Sequence, residues 1–165
     1  MAPEAVRYGY LDSPVGRLRM VGREDGVLTS LSVADHPSCS PLRDGWVQSD
    51  AAMRGAREQL EEYFAGSRTG FDLPIDPAGT PFQEQVWAAL REIPYGHTLG
   101  YGELARRIGR PKAARAVGAA NGRNPIFIVI PCHRVIGANG SLTGFGWGTD
   151  CKSWLLDHER QARLP

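Results

Sequence analysis

The chain has 165 residues, a formal net charge of +1 and 42% apolar residues, which bounds it to one or two small globular domains. It has no run of about 20 apolar residues, so no membrane span is expected, and Met1 to Tyr10 lacks an apolar signal core, so a cytoplasmic location is the expectation. Near-neutral charge argues against indiscriminate nucleic-acid binding; Cys39, Cys132 and Cys151, an odd set without metal-like spacing, argue against a disulfide framework and a zinc site.

Val6 to Val33 reads as β structure. Tyr8, Tyr10, Leu18, Met20, Val27, Leu28 and Leu31 have strand spacing, separated by turn signals at Asp12–Gly16 and Arg23–Gly26. Two hairpins or a three-stranded meander are expected. Asp35 to Asp50 reads as a loop. Ala51 to Ala65 reads as a helix with Ala52, Ala56, Leu60 and Phe64 as its apolar stripe, and Gly66 as a C-terminal stop. Phe71 to Ile75 is a short edge strand demoted by Pro74. Asp76–Pro77–Ala78–Gly79 reads as a linker, which places an N-terminal supporting domain at 1–76 and a second domain at 77–165.

Thr80, Pro81 and Gln83 carry an N-cap, a first-position proline and a capping box. The helix they open faces the core with Phe82, Val86, Trp87 and Leu90. A second helix runs from Gly100 or Tyr101 to Ile108, and a third from Lys112 to Ala120, ended by Asn121–Gly122. The turn Gly109–Arg110–Pro111 between them completes a helix-turn-helix pattern. Arg106, Arg107, Arg110, Lys112, Arg115 and Arg123 lie between Tyr101 and Asn124 against the single acid Glu103. The alanines of the third helix give it a slim profile, suited either to tight packing in a small domain or to entry into a groove.

Ile126 to Ile130 reads as a short buried strand, stopped by Pro131. Cys132 and His133 follow at its rim. A thiol needs a proton acceptor before it attacks anything, and neighbouring side chains usually point apart, so a structural cysteine beside a surface histidine remains open at this point. Gly137 to Ser141 signals a turn, placed in a hairpin. Gly144–Phe145–Gly146–Trp147–Gly148 is a glycine-rich loop. Asp150 is positioned to cap a last helix from Cys151 to about Arg163, with Trp154, Leu155 and His158 on its inner face. Glu159 also turns inward, which for a carboxylate requires a partner; Arg134 is one candidate.

Pro131–Cys132–His133–Arg134–Val135 resembles the signature of the O6-alkylguanine-DNA alkyltransferases, single-turnover DNA repair proteins. The resemblance extends in order from about Thr80 to Glu159 through Tyr95 to Ala105, Ala113 to Gly118, Gly140 to Gly148 and Trp154 to Glu159. It implies an α+β protein: a small N-terminal antiparallel sheet and helix, then a mostly helical domain with the helix-turn-helix and a short strand carrying the reactive cysteine. It implies transfer of an alkyl group from O6 of guanine, and more weakly O4 of thymine, to Cys132, without a cofactor, on double-stranded DNA, by a monomer.

The resemblance also assigns roles. Glu159 orients His133, which polarises Cys132 through a water. Tyr101 contacts the flipped base and can protonate its N3, and Arg115 fills the space the nucleotide leaves. Lys112, Ala113, Ala114 and Gly118 belong to the segment that meets DNA through the minor groove. Asn124 is a hinge between the recognition helix and the cysteine. The Gly146 N–H approaches O6, and the carbonyls of Cys132 and Val135 accept from the exocyclic amine.

The chain departs from the family pattern at Phe145, often tyrosine; at Trp147, usually small; at Gly100, usually serine; and at Cys151, often basic. Trp147 narrows the pocket, roofs it or lies outward. A lesion sensor without chemistry, a cysteine hydrolase and a plain helix-turn-helix regulator are the alternatives. Cys132 argues against the first; the second would use the same Cys–His–Glu set but would need an oxyanion hole and would turn over; the third would not need the Cys–His segment.

Overall fold

The computed structural model describes residues 5–142 and 145–161. The chain divides into two units, Met1–Pro77 and Ala78–Pro165.

In the first unit, β1 (Arg7–Ser13), β2 (Gly16–Gly22) and β3 (Leu28–Val33) form the expected antiparallel meander. Its register sets Leu11, Leu18 and Val33 in one cross-strand row and Gly9, Met20 and Leu31 in the next. Those apolar side chains are buried, as the alternation of a half-buried sheet requires. The stretch read as a loop contributes β4 (Val47–Gln48), parallel to β1 at the sheet edge. Two residues are too few to show a period, and β4 rests on backbone bonds from Val47 N–H to Val6 and from Ser49 N–H to Tyr8. The expected edge strand Phe71–Ile75 makes only a single bridge, Leu28 to Ile75.

Helix α1 (Arg54–Phe64) starts later than expected. Its buried residues are Ala56, Leu60 and Tyr63, preceded by buried Met53, while Ala52 and Phe64 are half-buried. Strict four-residue spacing drifts about 40° around a helix at each step, so the inner stripe alternates threes and fours instead.

In the second unit, α2 (Pro81–Leu90) has the expected start. Gln83 N–H donates to Thr80 Oγ1 at 3.1 Å and Gln83 Oε1 accepts from Thr80 N–H at 3.0 Å. Val86, Trp87 and Leu90 are buried, whereas Phe82 is half-buried under the Arg110 guanidinium. The Trp87 indole N–H bonds the Ala120 carbonyl at 2.8 Å.

Strand β5 (Leu99–Gly100) leads into α3 (Tyr101–Arg107), which has no side-chain cap at Gly100. The turn through Gly109, at φ +77°, leads to α4 (Ala114–Gly122). Lys112 and Ala113 therefore precede the helix rather than begin it: Ala113 N–H closes a turn on the Arg110 carbonyl. The helix also continues through Asn121 and Gly122.

Ile126–Ile130 is buried as expected but is not a strand. It folds back on itself, with Val129 N–H to Phe127, Ile130 N–H to Ile126 and Cys132 N–H to Ile130. Ile128 sits at φ +74°, the one non-glycine residue with positive φ among those described. Cys132–Arg134 is a 3₁₀ turn, so the reactive-cysteine segment is not the short strand expected. The strand comes after it: β6 (Val135–Ile136) pairs in parallel with β5, and the Gly137–Ser141 turn closes on itself instead of joining hairpin strands.

Helix α5 (Thr149–Gln161) starts before Asp150, which therefore lies in its first turn, favourable for a negative charge. Its buried residues are Cys151, Lys152, Leu155, Leu156 and Glu159. Trp154 and His158 stack on each other, half-buried at its flank. Gly144 and Arg163 lie outside the described residues.

Candidate active site

The thiol is seated by the fold-back turn. A β-branched residue in the left-handed region costs about 1–2 kcal/mol, and Ile128 is held there by the burial of the whole segment. Asn124 brackets the turn, donating to the Ile130 carbonyl at 2.7 Å and accepting from Ile126 N–H at 3.0 Å. Asn121, buried at the end of α4, donates to the Cys132 carbonyl at 3.4 Å. The end of α4 and the residues just after it are thus joined to the cysteine segment by two amides. Only Asn124 was singled out from sequence.

Glu159 is 1% exposed and fully coordinated. It accepts from His133 Nε2 at 2.6 Å, from Arg134 Nε at 2.8 Å and Nη2 at 3.1 Å, and from Gly96 N–H at 3.2 Å. Arg134 Nη1 donates to the Ile93 carbonyl at 2.7 Å. The two partners considered for Glu159 are therefore both engaged. A buried carboxylate is stable only with such bonds. Burial raises its pKa, but the hydrogen bonds from His133 and Arg134, with the Arg134 charge, outweigh this and hold it well below the usual carboxylate range.

Burial also lowers the pKa of His133, against the opposing pull of Glu159. The imidazole is neutral at pH 7, with its proton on Nε2 toward the carboxylate, which leaves Nδ1 as the basic nitrogen. Nδ1 is buried and has no hydrogen-bond partner among the described residues.

Cys132 is 4% exposed. Desolvation pushes its thiol up to about 11, while the Asn124 amide, the Lys152 ammonium and a backbone N–H act in the opposite sense. The free thiol is therefore protonated at neutral pH and needs a base or a stabilising cation to react.

Lys152 is that cation, and sequence reasoning missed it. It is fully buried, donates to the Val135 carbonyl at 2.6 Å and lies 5.7 Å from the Phe145 ring centroid. Burial lowers its own pKa, and the Cys132 charge raises it. A signal was available, since Lys152 lies two turns before Glu159 and shares its inward face.

Tyr101, at the start of α3, lies beside this group. A Cβ built on Gly118 would meet its ring at 3.7 Å. Burial and the neighbouring Cys132 raise its pKa, with Asn121 opposing, so the phenol keeps its proton. On α4, Val117 and Ala120 face inward, while Arg115, Ala116 and Ala119 are exposed or half-buried on the outer side. Lys112 and Arg123 are exposed as well, and Ala113, Ala114 and Gly118 are half-buried. Arg106 and Arg107 pair with Glu103.

In the glycine loop, Phe145 and Trp147 converge on buried Phe127, with centroids at 6.3 and 5.5 Å. Trp147 is half-buried on that ring and does not lie outward. Gly146 is exposed between them. No cluster of three metal-ligating side chains occurs among the described residues, and no helix among them is long and apolar enough to cross a membrane.

Residues 81–161 match the family model described as 6-O-methylguanine DNA methyltransferase, DNA binding domain, and residues 6–77 match that family's ribonuclease-like domain. The methylated-DNA–protein-cysteine methyltransferase of Mycolicibacterium paratuberculosis is 54% identical over 156 residues, 94% of this chain and 93% of the relative. The crystal structure of Mycobacterium tuberculosis O6-methylguanine methyltransferase superposes with a TM-score of 0.90 at 51% identity, covering 97% of this chain and 95% of that one. The Mycobacterium tuberculosis protein OGT, solved in complex with DNA, superposes at 0.87 with 50% identity, covering 94% of each chain. A buried Cys–His–Glu group on this fold, with identity at that level across nearly the whole length, makes the chain a member of the methylated-DNA–protein-cysteine methyltransferase family.

Proposed function

We propose that Cys132 is the alkyl acceptor of a single-turnover DNA repair reaction on O6-alkylguanine, and more weakly on O4-alkylthymine, in double-stranded DNA. The observation that carries this is a buried, protonated thiol at Cys132 followed directly in the chain by His133, whose Nε2 bonds buried Glu159 at 2.6 Å. A lesion sensor without chemistry has no use for such a thiol.

The thiol proton passes through a water to His133 Nδ1. Glu159 stabilises the imidazolium as it forms, and Arg134 holds the carboxylate in place. Lys152 stabilises the thiolate. The sulfur attacks the alkyl carbon in line: the S–C bond forms, the C–O6 bond breaks, and its electron pair stays on the guanine. Tyr101, protonated in the free protein, donates to N3 as that charge develops. The Gly146 N–H supports O6. The Cys132 and Val135 carbonyls face the exocyclic amine, each already oriented by a side-chain bond. The thioether is stable, so each molecule acts once, and no cofactor takes part.

The base must leave the stack to reach a buried sulfur. Arg115 fills its place, the slim face of α4 with Lys112, Ala113, Ala114 and Gly118 enters the minor groove, and Asn124 couples that helix to the cysteine. The 1–76 domain supports the 77–165 domain, and the protein acts as a cytoplasmic monomer.

The test is intact mass after incubation with a duplex containing O6-methylguanine. The protein gains the mass of one methylene on Cys132, and Cys132→Ala gains none. Tight binding to the lesion duplex without any gain would favour the sensor instead.

A further inference from the structure

We propose that Asn121 is a positioning residue that holds the Tyr101 hydroxyl and stabilises its oxygen once the proton has gone to N3 of the flipped guanine. The inference rests on the reading of Cys132 as acceptor and Tyr101 as donor, and deepens it. Asn121 lies in the last turn of α4 and is 3% exposed. The Cys132 carbonyl, 3.4 Å from its amide, can only accept, which fixes the amide nitrogen on that side. That nitrogen carries two N–H groups, and the carbonyl takes one. The amide oxygen Oδ1 is buried with no hydrogen-bond partner among the described residues. An unpaired buried acceptor is a standing cost that leucine, of similar volume, does not carry. Packing alone favours an apolar side chain here.

The second N–H serves Tyr101. Gly118 and Asn121 are three apart on α4 and share one face. The Tyr101 ring lies on that face: a Cβ added at Gly118 would meet its Cδ1 and Cε1 at 3.7 Å. The pairing of β5 with β6 sets Leu99 against Val135 and Gly100 against Ile136, so Tyr101, the next residue, is in register with the segment that follows Cys132. Burial and the nearby Cys132 oppose ionisation of the phenol, and a hydrogen bond from Asn121 favours it. A donor that favours the ionised form strengthens the acid. As the C–O6 bond breaks, its electron pair enters the guanine ring. The Tyr101 O–H then gives its proton to N3, and the phenolate that remains accepts from the Asn121 N–H.

The experiment measures rates of mass gain on Cys132 from saturating duplexes carrying O6-methylguanine or O6-methyl-3-deazaguanine, which has a C–H in place of N3. The full chain, Asn121→Leu and Tyr101→Phe are compared, with thermal melting of each. Loss of one hydrogen bond to a developing charge lowers the guanine-to-deazaguanine rate ratio about ten-fold in Asn121→Leu. A role confined to the Cys132 carbonyl slows both substrates alike and leaves the ratio unmoved. An unchanged or higher ratio in a folded Asn121→Leu therefore overturns the proposal. If that variant does not fold, Asn121→Ser, one bond shorter and without the amide, is read by the same ratio. A ratio near one in the unsubstituted chain, unmoved in Tyr101→Phe, overturns the reading of Tyr101 as donor to N3. No gain from either duplex overturns the acceptor reading, which separates the three failures.

Discussion

An ammonium held beside a thiol favours its ionised form, and Lys152 does this for Cys132 while donating to the Val135 carbonyl. Lys152→Met keeps much of the buried stem and removes the charge. The apparent pKa of Cys132, read from the pH dependence of iodoacetamide alkylation, then moves above about 11, and the alkylation rate at pH 8 falls about three- to ten-fold. An unchanged pH profile with a lower Tm would leave Lys152 with a packing role only. The His133–Glu159 pair makes a separate claim about stability. His133 has a lowered folded pKa, so below about pH 6.5 the unfolded chain binds the proton that the folded chain refuses. Glu159 is held below its ordinary value and does the same at lower pH. Both contributions have one sign: stability is full above about pH 7, erodes as pH falls through 6.5, and erodes further below about 4.5. His133→Gln removes the first step from a plot of Tm against pH and retains the second; a profile identical to that of the unsubstituted protein would reject this account. Cys132, His133 and the inward turn of Glu159 were legible in the sequence because motif and helical spacing are local. Lys152 escaped notice because lysine is expected at the surface.

Elements were legible where one local device decides them. The capping box of α2 is contained within Thr80–Gln83 and formed as expected. β4 was not legible, because a two-residue parallel edge strand is defined by its partner β1 and not by its own residues. The Ile126–Ile130 run was misread for a related reason. Apolar, β-branched composition reports burial, and burial was correct, but whether a buried run is extended or folded back depends on the Asn124 bonds and the tolerated strain at Ile128. Gly22 gives the element-scale prediction. It lies at the irregular pairing between β2 and β3, and a Cβ there would stand 2.2 Å from the Val27 carbonyl oxygen. Backbone cannot yield as a side-chain tip does, so Gly22→Ala destabilises the protein by on the order of 2–4 kcal/mol in urea unfolding. A loss under about 0.5 kcal/mol would contradict the β2–β3 geometry.

At the scale of the whole molecule, near-neutral charge and a local basic surface make a specific claim about DNA. Arg106 and Arg107 are paired with Glu103, whereas Lys112, Arg115 and Arg123 are exposed. A small number of phosphate contacts gives a shallow salt dependence. If Arg115 takes the proposed place in the base stack and not on a phosphate, Arg115→Ala weakens duplex binding and leaves the slope of log affinity against log salt nearly unchanged. Lys112→Ala lowers that slope by about one. The reverse pattern would exchange their roles. By itself, the sequence determined the mixed α+β class, the family and the reactive cysteine, because helix signals, β alternation and a contiguous motif are written in neighbouring residues. Only the tertiary structure decided that Glu159 serves His133 and Arg134 at once, that a buried lysine lies beside the sulfur and that Trp147 rests on Phe127. These depend on side chains distant in sequence meeting in a low-dielectric interior, where burial and pairing set both charge state and contact.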